Sequence, residues 1–273
     1  MEKKGLLSIS ELADFARITR TALIHYDKMG LLSPVERGEN NYRYYSHRQI
    51  ASINLIVTLQ KLGVPLGDIA GLLRSRTPES IMRLFSEQSH QIDQKIKRLS
   101  QAQKLLVTLK NIIGGGVAVS VDGEEKIEVH WSEPESIFLG PQNDYSDGMS
   151  IEEATLNFYR YCSAKEPNME LYYPVWGLFS EKRIKRGDWV GPDRFYFKMP
   201  DAPDKKPEGL YITGYIRGNY GQSDALYKRL LAYIDQHHLE ICGPAYETYP
   251  LNEISIPDPN QYLMRISITI KQR

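Results

Sequence analysis

Cysteine is nearly absent: Cys162 and Cys242 are the only two in 273 residues. That is too few for a disulfide framework, and their spacing is not that of a thiolate metal site. Both read as small core residues, and neither a metal nor another cofactor is expected. Long apolar runs are missing too. Nothing approaches the ~18 consecutive apolar residues a bilayer span needs, so no membrane partner is expected. The opening Met1-Glu2-Lys3-Lys4-Gly5-Leu6-Leu7 carries positive charge but lacks the apolar region and cleavage site of an export signal. The cytoplasm is therefore the expected compartment. Net charge is also missing, with 34 basic against 34 acidic residues.

What is present is a division of that charge. Residues 1–113 hold 17 Lys and Arg against 10 Asp and Glu, and residues 114–273 hold 17 against 24. The length allows about two domains, so a basic first part suited to a polyanion precedes an acidic part suited to a cation.

The pattern from Ser8 predicts a short amphipathic helix, with Ser8 or Ser10 as its cap and Ile9, Leu12, Ala13 and Phe15 at helical spacing. Thr19 caps a second run, from Arg20 to Met29, with Ala22, Leu23 and Tyr26 as its apolar face and Gly30 as its stop. Two short helices joined this tightly form a helix-turn-helix, whose second helix enters the major groove. Arg20, Thr21, Ile24, His25 and Lys28 are the candidate DNA contacts on it. Ser33 to Tyr45 reads as a hairpin or wing, with Arg43 among Tyr42, Tyr44 and Tyr45 and aimed at a phosphate. Ser46 is the expected cap of a third helix running through Leu62, and Gly63 to Ile69 turns into a fourth.

These blocks resemble the MerR family of bacterial regulators. The matching residues are Ile9–Ala13, Thr21–Pro34, Tyr42–Tyr45 and Leu59–Gly63, in order and spacing. The resemblance implies DNA contacts from the residues above together with Tyr26, Tyr44 and Lys61. It also implies a homodimer on a pseudo-palindromic promoter operator, which activates transcription by distorting overlong spacer DNA for RNA polymerase. One departure is Ile24, where the family usually has Arg, so an operator sequence does not transfer from relatives.

From Thr77-Pro78-Glu79 a long helix is expected, ending at Gly114-Gly115-Gly116. Ile81, Phe85, Gln88, Ile92, Lys95, Leu99, Ala102, Leu106, Leu109 and Ile113 alternate at spacings of four and three, a heptad seam that needs a partner. In MerR-like proteins the corresponding helix forms an antiparallel coiled coil between subunits.

Beyond residue 114 lie 14 of the 18 tyrosines and all three tryptophans. Strand-like runs are Val117–Val121, Lys126–Trp131, Ser136–Leu139, Leu171–Ser180, Arg194–Met199, Leu210–Arg217, Pro244–Tyr249 and Tyr262–Ile270; helical ones are Ile151–Cys162 and Gln222–His237. Strand, helix, strand, strand occurs twice, which predicts two related halves in one curved antiparallel sheet with helices on one side. The fold class is thus α+β: a winged helix-turn-helix over 1–76, a dimerisation helix over 77–114 and a sheet domain over 115–273.

The second half of that domain resembles the GyrI-like effector domain of BmrR-like multidrug sensors in the MerR family. The likeness rests on Gly209–Ile212, Tyr227–Ile234, Leu239–Tyr249 and Tyr262–Ile268. It implies that Glu247, on the Gly-Pro-x-x-Glu-x-Tyr strand, pairs with a lipophilic cation inside an aromatic cavity. Aromatic faces attract such cations, and a buried carboxylate selects their charge. Tyr145, Tyr172, Tyr173, Trp176, Tyr211 and Tyr262 are the candidate walls, with Trp131 and Trp189 left outside the site. Metal sensing, which uses thiolates beside the dimer helix in this family, is disfavoured by the lack of cysteine before residue 162. Two alternatives stay open: hydrolysis of a small molecule, as in some GyrI-like domains, and a protein-binding module.

Overall fold

The computed structural model describes residues 5–74, 77–122, 126–166 and 173–273. Its contacts divide the chain into residues 1–96 and 97–273.

In the first unit, strand β1 (Leu6–Ser8) leads into α1 (Ile9–Ala16) and α2 (Arg20–Lys28). Ser8, not Ser10, caps α1: its hydroxyl accepts from Glu11 N–H at 3.2 Å while the Glu11 carboxylate accepts from Ser8 N–H at 2.7 Å. Thr19 caps α2 through Ala22 N–H at 3.1 Å, and Gly30 takes the left-handed conformation beyond it. Strands β2 (Glu36–Arg37) and β3 (Arg43–Ser46) form the wing, and β3 also pairs with β1. Helix α3 (Gln49–Lys61) is capped at Arg48 rather than at Ser46, whose N–H is taken by the Gln49 side chain at 2.9 Å. Helix α4 (Leu66–Arg74) follows. Leu12, Leu23, Tyr26, Tyr45, Ile53, Ile56, Leu59 and Ile69 form the core, whereas Phe15 stays exposed, against its expected place on the apolar face of α1.

Helix α5 spans Pro78–Asp122, 45 residues. The seam residues Phe85, Ile92, Leu99 and Leu106, seven apart, are exposed along it. The expected stop at Gly114 is corrected here, as is the strand at Val117–Val121, because the helix continues through all three glycines. The reason is steric. A Cβ on Gly116 would lie 2.8 Å from Leu251 Cγ and 3.0 Å from Pro250 Cβ, so glycine lets the helix press against the sheet. Close packing offsets a helix-propensity cost of about 1 kcal/mol per glycine.

The second unit holds β4 (Glu128–Ser132), β5 (Glu135–Gln142), α6 (Ile151–Lys165), β6 (Val175–Phe179), α7 (Glu181–Arg186), β7 (Arg194–Lys198) and β8 (Asp204–Lys206). It continues with β9 (Gly209–Arg217), α8 (Asp224–Gln236), β10 (Leu239–Leu251) and β11 (Leu263–Gln272). They make one antiparallel sheet in the order β4-β9-β11-β10-β6-β7-β5-β8. The duplication is visible in it: β5-α6-β6-β7 and β9-α8-β10-β11 have the same internal strand order, and β6 meets β10 where the halves join. On one face α6 packs over Phe138, Phe195 and Phe197, and α8 packs over Ile212, Ile266 and Ile268. The other face carries a layer of Trp176, Tyr196, Tyr211 and Tyr246, against which Ile112 of α5 packs. The short β8 and α7 have no counterpart in the expected elements.

Candidate functional site

Helix α2 presents Arg20, Thr21, His25 and Lys28 to solvent, and Lys61 is exposed at the end of α3. Ile24 is half-buried against the core. Tyr26 is a correction: it is 2% exposed and its hydroxyl donates to Gln60 Oε1 at 2.5 Å, so it fastens α2 to α3 instead of facing a groove. Arg43 is not a free cation either. Its Nε donates to Asp27 Oδ2 at 2.8 Å, and Arg37 reaches the same oxygen at 2.6 Å. Two arginines of the wing therefore converge on one carboxylate of α2. Burial alone would raise the Asp27 pKa, but the bonds from Arg43 and Arg37 outweigh it and hold the carboxyl below its usual range. Tyr44 is half-buried, with its ring 5.3 Å from that of Tyr42.

The second constellation centres on Glu247. It stands opposite Gly177 across the β6–β10 pair, so the junction of the two half-sheets offers a carboxylate facing a position without a side chain. A Cβ there would press on Pro192 Cβ at 3.0 Å, so glycine leaves this side of the cleft uncrowded. The cleft has a volume of about 110 Å³ and is walled by Phe179, Trp189, Phe195, Tyr220 and Tyr249. Glu247 is 7% exposed. Its Oε1 accepts from the Tyr249 hydroxyl at 2.8 Å, while Oε2 is buried with no hydrogen-bond partner. Burial pushes its pKa up to about 7, against the lowering pull of the bond from Tyr249 and of the nearby Ser223 side chain. An orphaned carboxylate oxygen in a ring-lined cleft attracts a cation and excludes an anion.

Of the expected walls, Trp176 borders this cleft, but its ring lies on the opposite sheet face with Tyr196, Tyr211 and Tyr246. Tyr145 stands behind the cleft, donating to Pro192 O at 3.1 Å and packing under Gly191. Tyr262 forms a second layer, its ring 5.4 Å from Tyr220. Tyr173 and Tyr211 belong elsewhere: Tyr173 packs near Phe197 below α6, and Tyr211 lies on the opposite sheet face with its hydroxyl on Pro207 O at 2.8 Å. Tyr172 lies outside the described residues. Tyr220, Tyr249 and Trp189 went unforeseen as walls. Tyr249 had a signal, two residues after Glu247 and so on the same strand face. Trp189 had none; it sits in a loop and stacks on Tyr227 with centroids 4.8 Å apart.

Comparison with known proteins agrees with the first unit. Residues 7–76 match the model of MerR HTH family regulatory proteins, and residues 50–109 match the MerR DNA-binding model. Residues 7–109 thus carry a MerR-family helix-turn-helix and DNA-binding region. The multidrug-efflux transporter 2 regulator of Bacillus subtilis (strain 168) is 29% identical over 98% of this chain and 98% of its own length. The multidrug-efflux transporter 1 regulator of the same organism is 24% identical over 99% of this chain and 100% of its own. The HTH-type transcriptional activator TipA of Streptomyces coelicolor is 30% identical over 45% of this chain and 47% of its own length. The chain thus combines a MerR-type helix-turn-helix domain with a large antiparallel-sheet domain, and the full-length relatives are named as regulators. No helix among the described residues is long and apolar enough to cross a membrane.

Proposed function

We propose that this chain is a homodimeric MerR-family transcription activator, acting in the cytoplasm, whose C-terminal, GyrI-like domain binds a lipophilic organic cation at Glu247. The observation that carries the reading is the buried Glu247 Oε2 without a partner, inside a cleft walled by aromatic rings. The names of the two full-length relatives, both multidrug-efflux transporter regulators, point the same way.

At 110 Å³ the cleft is smaller than the about 300 Å³ at which drug-sized pockets begin. The cation therefore enters by moving Tyr220, the exposed wall that rests on Tyr249 at 4.4 Å and donates to Glu253 at 2.5 Å. Charge pairing with the carboxylate and cation–π attraction, about 0.5–2 kcal/mol per ring, drive that opening. On the DNA side, the exposed seam of α5 pairs two chains, which set two copies of α2 on the half-sites of a pseudo-palindromic promoter operator. The ligand favours the state that distorts the spacer for RNA polymerase. That distortion costs on the order of several kcal/mol, which differential ligand affinity must exceed. No turnover belongs to this reading; the ligand leaves unchanged.

The test titrates the full-length protein and its Glu247→Gln variant with tetraphenylphosphonium. The wild type binds it, the variant binds at least about tenfold more weakly, and operator affinity is equal in the two. Equal phosphonium affinity removes Glu247 from the site.

A further inference from the structure

A larger cavity, about 650 Å³, lies between α5 and the sheet face opposite the Glu247 cleft. Its volume is in the range of small-molecule pockets, about 300–1,000 Å³. Its chemistry is the reverse of the cleft's. Glu135 accepts from Lys198 at 2.7 Å and lies 3.6 Å from Lys206, and Arg265 bonds Thr248 Oγ1 through Nε at 3.2 Å. Lys104 at the rim pairs with Asp201 at 2.6 Å. Three cations, Lys104, Lys198 and Arg265, thus line the cavity beside Glu135, and a fourth, Lys206, is nearly buried next to them over the rings of Tyr211 and Tyr246.

We propose that this cavity is a second binding site, for a small organic anion whose carboxylate is held by Arg265 and Lys198 and whose apolar body lies along Trp176. Positive charge gathered in a half-enclosed space is unfavourable until an anion joins it. The planar fork of Arg265 suits a carboxylate, since only its Nε is engaged among the described residues. Trp176 is 4% exposed and its Nε1–H is buried without an acceptor, a donor that an anion's second oxygen can satisfy. Val107, Ile112, Met199 and Pro250 supply the apolar walls. Burial depresses the Lys206 pKa to about 8, with Glu135 opposing and Arg265 and Lys198 adding to the lowering.

The experiment titrates the full-length protein with 1-naphthoate and, as a cation of matched shape, 1-naphthylmethylammonium. Naphthoate binds the wild type saturably. Arg265→Gln and Lys198→Gln each weaken it about tenfold or more, as loss of a charge-assisted bond does, and Glu247→Gln leaves it unchanged. Asn111→Trp, an exposed α5 position on the cavity wall, abolishes it and decides the matter should Arg265→Gln fail to fold. Absence of saturable naphthoate binding to the wild type overturns the proposal, as does binding indifferent to both Arg265→Gln and Asn111→Trp. The naphthylmethylammonium titration reads the Glu247 cleft separately, so either site can fail without the other.

Discussion

Tyr249 donates its hydroxyl to one oxygen of Glu247 at 2.8 Å and leaves the other oxygen buried and unpaired. A carboxyl in that position ionises reluctantly, and its pKa is raised from 4.5 to about 7. Between those values the folded protein holds a proton that the unfolded chain has lost. Stability is therefore highest near and below pH 4.5 for this group and is lost as pH rises to about 7, by about 3 kcal/mol in all. Glu247→Gln removes that dependence, which denaturant melts of both proteins at pH 5 and pH 8 would show as a smaller pH difference in the variant.

Cation affinity should run in the opposite direction. A bound cation selects the carboxylate, so lowering the pH from 8 to 6 weakens tetraphenylphosphonium binding about tenfold, and about half a proton is released per ligand bound at pH 7, rising toward one at pH 6. Calorimetric titration in buffers of different ionisation enthalpy measures that proton. A flat affinity across this range would contradict the role given to Glu247.

Asp27 gathers Arg37 and Arg43 onto the recognition helix. Asp27→Asn should lower stability by about 1–3 kcal/mol by leaving two guanidinium groups with a weaker acceptor. Arg20→Ala removes an exposed cation with little effect on stability, and reduces the slope of log affinity against log salt by about one if that residue meets a phosphate. Operator binding at several salt concentrations, beside thermal melts, separates the two behaviours.

Gly114 and Gly116 are two residues apart in one helix and should answer substitution with opposite sign. A Cβ on Gly114 meets nothing within 4 Å, so Gly114→Ala should stabilise by about 0.5–1 kcal/mol. Gly116→Leu drives a side chain into Leu251 and Pro250 and should cost about 1–3 kcal/mol. Denaturant melts of the two variants give the comparison.

Leu99 is exposed on the α5 seam, in step with Ile92 and Leu106. Leu99→Glu with Ile92→Glu should yield a monomer by light scattering that has lost operator affinity, because a single half-site contact forfeits the second recognition helix. A dimer unaffected by both charges would place the subunit contact elsewhere.

The first unit was legible because its boundaries are written in local chemistry: Ser8 and Glu11 close a capping box, Thr19 caps α2, and Gly30 has the backbone freedom its stop requires. The end of α5 was not. Three glycines in a row carry the same local signal whether they stop a helix or admit a close neighbour, and only Leu251, far along the chain, decides. The duplicated order of the second unit could be read from its strand and helix periods, but the three-residue β8 and six-residue α7 are too short to show one. At the site, the strand position of Glu247 was legible, whereas Trp176 turned out to face the other side of the sheet. Tyr211 was misplaced because a strand in a doubly covered sheet buries aromatic side chains on both faces, and composition does not say which face holds the cleft; Tyr173 precedes β6 and packs with Phe197 instead.

Trp176 borders both the Glu247 cleft and the cavity beneath α5. Strand β6 is thus a shared partition, its Trp176 ring facing the cavity and its Gly177 facing the cleft, and a guest that shifts the strand from either side redraws the room on the other. Two compounds of opposite charge would then not act independently on this protein: each would set the fit of the other, so that the molecule reports a combination of chemicals rather than the amount of one.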